Sequence, residues 1–182
     1  LFTNLTEYFN KKFSNILPAQ YSHELKEQIY NLNKLVIESL NISWGMTHLE
    51  FYQTAGGILF GEIALRPPGG YIMQLLKEAY DFNPWMAFAS IELGLDFDFP
   101  KKAKSFAGCL VHHPGKGLVA EITTPSQASL KTHKIKVKIG DEIKDRAGVG
   151  EDIGYSIFVG SDIGQLKRDI TELQNLPAIS LA

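Results

Sequence analysis

The chain predicts an α+β fold: an antiparallel sheet with flanking helices, then a small, mostly antiparallel β lobe with a C-terminal helix. Three observations predict it. Apolar residues recur at three- and four-residue steps from Ser22 to Leu40, the period changes to two after Asn41, and short strand-like runs follow Phe99-Pro100-Lys101-Lys102. That last change of character divides the chain into residues 1–100 and 101–182.

The first helix carries Leu25, Ile29, Leu32, Leu35, Val36 and Leu40 on one side, with Ser22 as N-cap. Trp44 to Thr54 and Ile58 to Arg66 then read as strands joined by a three-residue loop, Ala55-Gly56-Gly57, where a glycine can take the left-handed conformation. Pro67-Pro68-Gly69-Gly70 ends the second strand, and Tyr71 to Tyr80 reads as a helix. Asn83-Pro84 supplies an N-cap and a proline at the first helical position of a further helix, closed by Gly94. Beyond residue 100 the strand-like runs are Phe106 to Val111, Leu118 to Thr123, His133 to Ile139 and Tyr155 to Val159. A last helix spans Ile163 to Gln174, with Ile163, Leu166, Ile170 and Leu173 on one face.

Composition narrows the function. The 182 residues suffice for one good-sized domain, or one with a small added lobe. With 45% apolar and 21% charged residues, the balance is that of a soluble globular protein. A net charge of −2 with both signs interspersed gives no electrostatic case for nucleic acid or for an anionic membrane. No apolar run reaches the roughly 18 residues that a spanning helix needs, and no leader pattern opens the chain. The one cysteine, Cys109, excludes an internal disulfide framework and fits a reducing, cytoplasmic compartment. The chain starts at Leu1, without methionine, which suggests a processed product or a piece of something longer.

The hairpin carries the chemistry. With residues 55–57 as its loop, Thr54 faces Ile58, Glu50 faces Glu62, His48 faces Ala64 and Met46 faces Arg66. Alternation then puts His48, Glu50, Glu62 and Arg66 on one face, and Leu49, Phe51, Leu59, Ile63 and Leu65 on the other. Two carboxylates directly opposite on neighbouring strands repel unless something positive lies between them. Hard oxygen ligands select a hard cation, and magnesium is commonly held by one or two carboxylates plus phosphate oxygens. Arg66 can clamp a phosphoryl or acyl-phosphate oxygen through its planar fork. Gly69-Gly70 leaves backbone N–H groups open to an anion at the start of a helix. A solvated hairpin also tolerates facing glutamates at small cost, so the pairing alone leaves both readings open.

Gly45-Met46-Thr47-His48-Leu49-Glu50-Phe51, a hairpin, and Gly61-Glu62-Ile63-Ala64-Leu65-Arg66-Pro67-Pro68-Gly69-Gly70 together resemble the ATP-grasp superfamily. The branch most similar is that of L-amino-acid ligases, with biotin carboxylases and carbamoyl-phosphate synthetases more distant. The resemblance is specific over residues 41–94 and looser beyond. It implies the C-terminal half of an ATP-grasp fold in residues 1–100, followed by a C-terminal lobe in 101–182. It further implies Mg2+ (or Mn2+) and ATP as cofactors, with Glu50 and Glu62 as metal ligands at the ATP phosphates. Arg66 takes the place of the arginine that contacts the phosphoryl group and the acyl-phosphate, and is the catalytic residue expected here. His48, Gly69 and Gly70 fall on the substrate side, although His48 serves equally well to orient Glu50. The implied reaction activates a carboxylate as acyl-phosphate for attack by an amine or a thiol.

Two departures accompany the resemblance. Many members carry an asparagine two residues after the second glutamate, where this chain has Ala64. The stretch before Ser22 is also too short for the lid whose lysines contact the phosphates and whose strand bonds adenine. The expectation is therefore a C-terminal fragment that needs the N-terminal half of the same enzyme and is inactive alone. The alternative is a non-catalytic, degenerate module with a regulatory or protein-interaction role. Small-molecule acid and amine substrates are the expected partners, and a homodimer is compatible.

Other signals have simpler readings. His112-His113 before Pro114-Gly115-Lys116-Gly117 lacks the phosphate-loop pattern and reads as a strand end with a tight turn. Lys134, Lys136 and Lys138 alternate with Ile135, Val137 and Ile139, as on a solvated strand face or a blunted sheet edge. The turn from Lys138 to Ile143 faintly resembles biotinyl carrier hairpins but has no modifiable lysine at its tip. Trp85, Phe88 and the aromatics Phe97 to Phe99 read as core, and Cys109 as a small buried hydrophobe.

Overall fold

The computed structural model describes residues 14–145 and 151–182. The start at Leu1 lies outside them. The described residues form two compact units. One comprises the chain up to Ala19, Gly69–Phe82 and everything from Pro100 onward; the other comprises Gln20–Pro68 and Asn83–Phe99.

The larger unit is built on a four-stranded antiparallel sheet. Strand β1 (Ser14–Leu17) pairs with β4 (Phe106–His112), β4 with β8 (Gly154–Gly160), and β8 with β6 (Leu130–Ile135). Helices α2 (Ile72–Tyr80) and α4 (Ile163–Asn175) pack on it. Ala107 to His112 are all buried, so β4 is covered on both faces, as befits an inner strand with an unbroken apolar run. Leu110 and Phe158 pack with Leu166, Ile170 and Leu173 of α4. Gly108 permits this closeness, since a Cβ there would lie 2.6 Å from the Ile170 Cδ1. A second sheet orders β7 (Glu142–Ile143), β5 (Gly117–Ile122) and β9 (Ile179–Leu181) around Val119, Ile143 and Ile179.

The smaller unit holds α1 (His23–Ser39), the hairpin of β2 (Thr47–Thr54) and β3 (Gly57–Leu65), and α3 (Pro84–Glu92). Its helix starts follow the sequence. Ser22 Oγ accepts from the Leu25 N–H at 3.2 Å, and Asn83 Oδ1 accepts from the Trp85 and Met86 N–H groups with Pro84 opening the helix. The unit buries little: Ile29, Pro84 and Ala87 are its fully covered residues.

The architecture is the expected mix of antiparallel sheets and helices, and Cys109 is wholly buried. Several local expectations are corrected. The hairpin loop has two residues, so Thr54 faces Gly57, not Ile58. Met46 and Arg66 lie beyond the last pair, Thr47 with Leu65. Trp85 and Phe99 are 58% and 47% exposed and therefore not core. The lysine-alternating strand ends at Ile135, and Ile139 is exposed because it sits past the ladder. Strands β1, β7 and β9 were not foreseeable from periodicity, being four, two and three residues long.

Candidate functional site

The hairpin turn is fixed by its own polar groups. Thr54 Oγ1 donates to the Gly57 carbonyl at 2.9 Å and accepts from the Gly56 N–H at 3.2 Å. From the turn outward, Gln53 faces Ile58, Tyr52 faces Leu59 and Phe51 faces Phe60. Continued unchanged, that register would set Glu50 against Gly61. A β-bulge intervenes: Gly61 is extra, and Glu50 faces Glu62, Leu49 faces Ile63 and His48 faces Ala64. The bulged residue suits glycine, because a Cβ would come within 3.0 Å of the Glu50 carbonyl oxygen and 3.1 Å of the Tyr52 ring.

Cross-strand partners share a side, so one face presents His48 with Ala64, Glu50 with Glu62, and Tyr52 with Leu59. The sequence reading put Leu59 on the opposite side, and the bulge is the reason it is not there. Glu50 is half-buried and Glu62 exposed. Among the described residues, no ion pair engages either carboxylate. Nor do the described residues contain a cluster of three or more histidine, cysteine, aspartate or glutamate side chains able to hold a metal. His48 Nδ1 is buried and has no hydrogen-bond partner among the described residues. Two facing carboxylates with no ion pair among the described residues suit a hard divalent ion that takes its remaining oxygens from a phosphate ligand or water.

Arg66 follows β3 and is exposed, its Nη1 donating to the Pro67 carbonyl at 3.1 Å. Gly69 and Gly70 belong to the larger unit, at the entry to α2. Among the described residues no side chain caps that helix, which leaves its first N–H groups to other acceptors.

Sequence reasoning missed two polar clusters. Beside the glycine pair, Tyr71 and Lys136 converge on the carboxylate of Asp152. Burial would raise the Asp152 carboxyl, but hydrogen bonds from Lys136 and Tyr71 outweigh it and hold it below the ordinary carboxylate range. Burial pushes the Tyr71 phenol up, and the neighbouring Asp152 charge adds to it. In the sheet, the Ser156 hydroxyl lies 2.8 Å from His112 Nε2 and 2.8 Å from His133 Nδ1. Lys136 looked like one tooth of a solvated face, and the serine has no sequence neighbour that signals its two imidazoles.

No family model matches this chain. Two solved structures share its architecture over nearly its whole length. An L-amino acid ligase from Bacillus licheniformis superposes with a TM-score of 0.80 over 96% of this chain, at 18% identity. A phosphoribosylglycinamide synthetase from Anaerococcus prevotii gives 0.76 over 99%, at 14% identity. The fold is that of the ATP-grasp enzymes. The match is partial and C-terminal-like: the chain corresponds to 45% and 48% of those two ATP-grasp structures. A curated relative, the L-arginine-specific L-amino acid ligase of Bacillus subtilis, is 28% identical over 103 residues, which is 53% of this chain and 25% of the relative. The chain thus spans a quarter of that relative's length. Among the described residues no helix is long and apolar enough to cross a membrane.

Proposed function

We propose that this chain supplies the magnesium and phosphate side of an ATP-dependent ligase, one that joins a carboxylate to an amine or a thiol through an acyl-phosphate. The observation that carries the reading is the Glu50–Glu62 pair, two carboxylates facing across a bulged ladder with no ion pair to either among the described residues. Repulsion between directly facing carboxylates is best relieved by a shared divalent ion. Similarity to ATP-grasp ligases supports the same reading.

In this proposal Glu50 and Glu62 hold Mg2+ (or Mn2+) at the phosphates of ATP. The ion would neutralise phosphate charge as the phosphoryl group moves to the acid. Arg66, exposed just beyond β3, contacts that phosphoryl group and the acyl-phosphate through its guanidinium. The N–H groups at Gly69-Gly70 receive a substrate anion. His48 orients Glu50 or touches substrate. Residues 1–100 would be the half that carries the site, and residues 101–182 the C-terminal lobe.

The rest of an ATP-grasp enzyme would supply the lysines that contact phosphate and the strand that bonds adenine. Exposed apolar side chains of the smaller unit support the need for further polypeptide. Trp44, Tyr52, Leu59, Trp85 and Leu93 are each more than half exposed, and an isolated two-stranded hairpin is marginal in water. A reducing, cytoplasmic setting fits the buried free thiol of Cys109.

The test is Glu62→Gln in an enzyme that contains this chain. Ligation should fall by roughly 10²–10³, as when one electrostatic contact to a transition state is lost, while binding of the acid substrate persists. Unchanged turnover would sink the assignment. A second reading, a non-catalytic module, draws on Ala64: it lies on the carboxylate face, opposite His48, and offers no ligand. A flat calorimetric trace on adding magnesium and ADP to the complete protein would favour that reading.

A further inference from the structure

The backbone at the entry to α2 is unusual. Gly70 and Tyr71 are consecutive left-handed residues, with φ of 62° and 65°. Glycine adopts that conformation freely, whereas a tyrosine there is strained and persists only where its surroundings over-determine it. The surroundings do so from three directions. The Tyr71 ring stacks on that of Tyr155, with centroids 4.1 Å apart and planes inclined by 30°. Its hydroxyl donates to Asp152 Oδ2 at 2.5 Å. Lys136 Nζ donates to both oxygens of the same carboxylate, each at 2.8 Å, and reaches the Tyr71 oxygen at 3.3 Å.

The Asp152 side chain is only 8% exposed, so its charge is balanced by these donors more than by water. The three groups come from the start of α2, from beyond the end of β6, and from just before β8. Their convergence ties the glycine turn to the sheet. Within the turn the Ile72 N–H returns to the Gly69 carbonyl at 3.2 Å, while the Tyr71 carbonyl accepts from Leu75 at 3.0 Å. Tyr71 therefore sets the helix entry that elsewhere a capping side chain would set.

We propose that the Tyr71–Asp152–Lys136 network holds the left-handed Gly70–Tyr71 turn, and that Tyr71 and Asp152 are positioning residues for the anion received at Gly69-Gly70. The inference rests on the role given to those glycines above. Neither residue touches the anion. They act by fixing the direction of the backbone N–H groups before the ligand arrives, which removes an ordering cost from binding.

The intact chain, isotopically labelled, tests this with inorganic phosphate as the probe. The coupling between the Tyr71 amide and α protons reports its φ, and the amide shifts of Gly69, Gly70 and Tyr71 report phosphate. Tyr71→Phe keeps the stacked ring and removes only the hydroxyl; Asp152→Asn removes the charge and keeps the shape. Both variants should retain the β4 and β8 amide pattern, lose the left-handed coupling at residue 71, and bind phosphate roughly tenfold more weakly. Unchanged coupling and affinity in both would overturn the proposal while leaving the glycine assignment intact. A changed coupling with no phosphate response in the unmutated chain would instead remove the anion from Gly69-Gly70, and the positioning role with it. Should Tyr71→Phe not fold, Asp152→Asn and Lys136→Met decide the matter by the same two readouts.

Discussion

His133 carries an acid limit. Burial lowers its pKa from the ordinary 6.5, because the strand environment disfavours the imidazolium. The unfolded chain then binds that proton more readily than the folded one, so stability rises with pH across this window. It should be fully present above about pH 6.5 and fall as the pH drops toward the folded-state value. A second loss follows at lower pH. Asp152 and Asp169 are both held below the ordinary 3.8, burial opposing and the hydrogen bonds of Lys136 and Tyr71 to one and Ser129 to the other prevailing. Their contribution is present above that value and lost as the pH falls through the depressed ones. Urea midpoints at about pH 7.5, 5.5 and 3.5 should decline in two steps, and His133→Gln should flatten the first. Equal midpoints at the two higher values would refute the histidine's part. At this scale the facing glutamates were read from the sequence by placing the odd residue in the hairpin loop, whereas the structure places it at Gly61 and arrives at the same pair. The sequence does not show the His112–Ser156–His133 or Tyr71–Asp152–Lys136 contacts, because each depends on strands or loops far apart along the chain.

Elements differ in how locally they are specified. The starts of α1 and α3 were legible because an N-cap acts on N–H groups two or three residues away. Ser22→Ala should cost about 1 kcal/mol of local stability, read as faster amide exchange at Leu25 with the β4 amides unaffected. The bulge at Gly61 was not legible, because Glu62, Ile63, Ala64 and Leu65 alternate as smoothly as an uninterrupted ladder would. Helix packing on the main sheet was legible only as a pattern of apolar faces, and the closeness of α4 to β4 at Gly108 was not legible, because it depends on residues some sixty positions apart. Gly108→Val should destabilise the larger unit by about 1–3 kcal/mol through overpacking, with a lower denaturant midpoint and an unchanged slope. Shortening Ile170 to Val in the same protein should recover part of the loss, since its Cδ1 is the atom in the way. No recovery would place the strain elsewhere.

As a whole, the molecule distributes its burial unevenly. Among its described residues the larger unit has two apolar clusters and a central strand covered on both faces. The smaller one exposes Trp44, Tyr52, Leu59 and Trp85 and encloses little. Hydrogen exchange should accordingly be faster across β2 and β3 than across β4 and β8 in the chain by itself. Equal protection would mean that the hairpin is stabilised by more than these contacts. Antiparallel strands and flanking helices were legible from periodicity, whereas the interleaving of the two units was not, since nothing in Gly69–Phe82 marks it as belonging with residues beyond 100.

The bulge at Gly61 has a consequence for how the hairpin can vary. An odd residue can sit at the tip, as a three-residue loop, or midway along the return strand, as here, and the two acidic groups meet in either case. What changes is the portion in between. With the odd residue at the tip, Phe60 would take the place of Leu59 beside Tyr52. Two chains with the same number of residues between their glutamates can therefore set different apolar neighbours beside those carboxylates, and counting residues does not tell them apart.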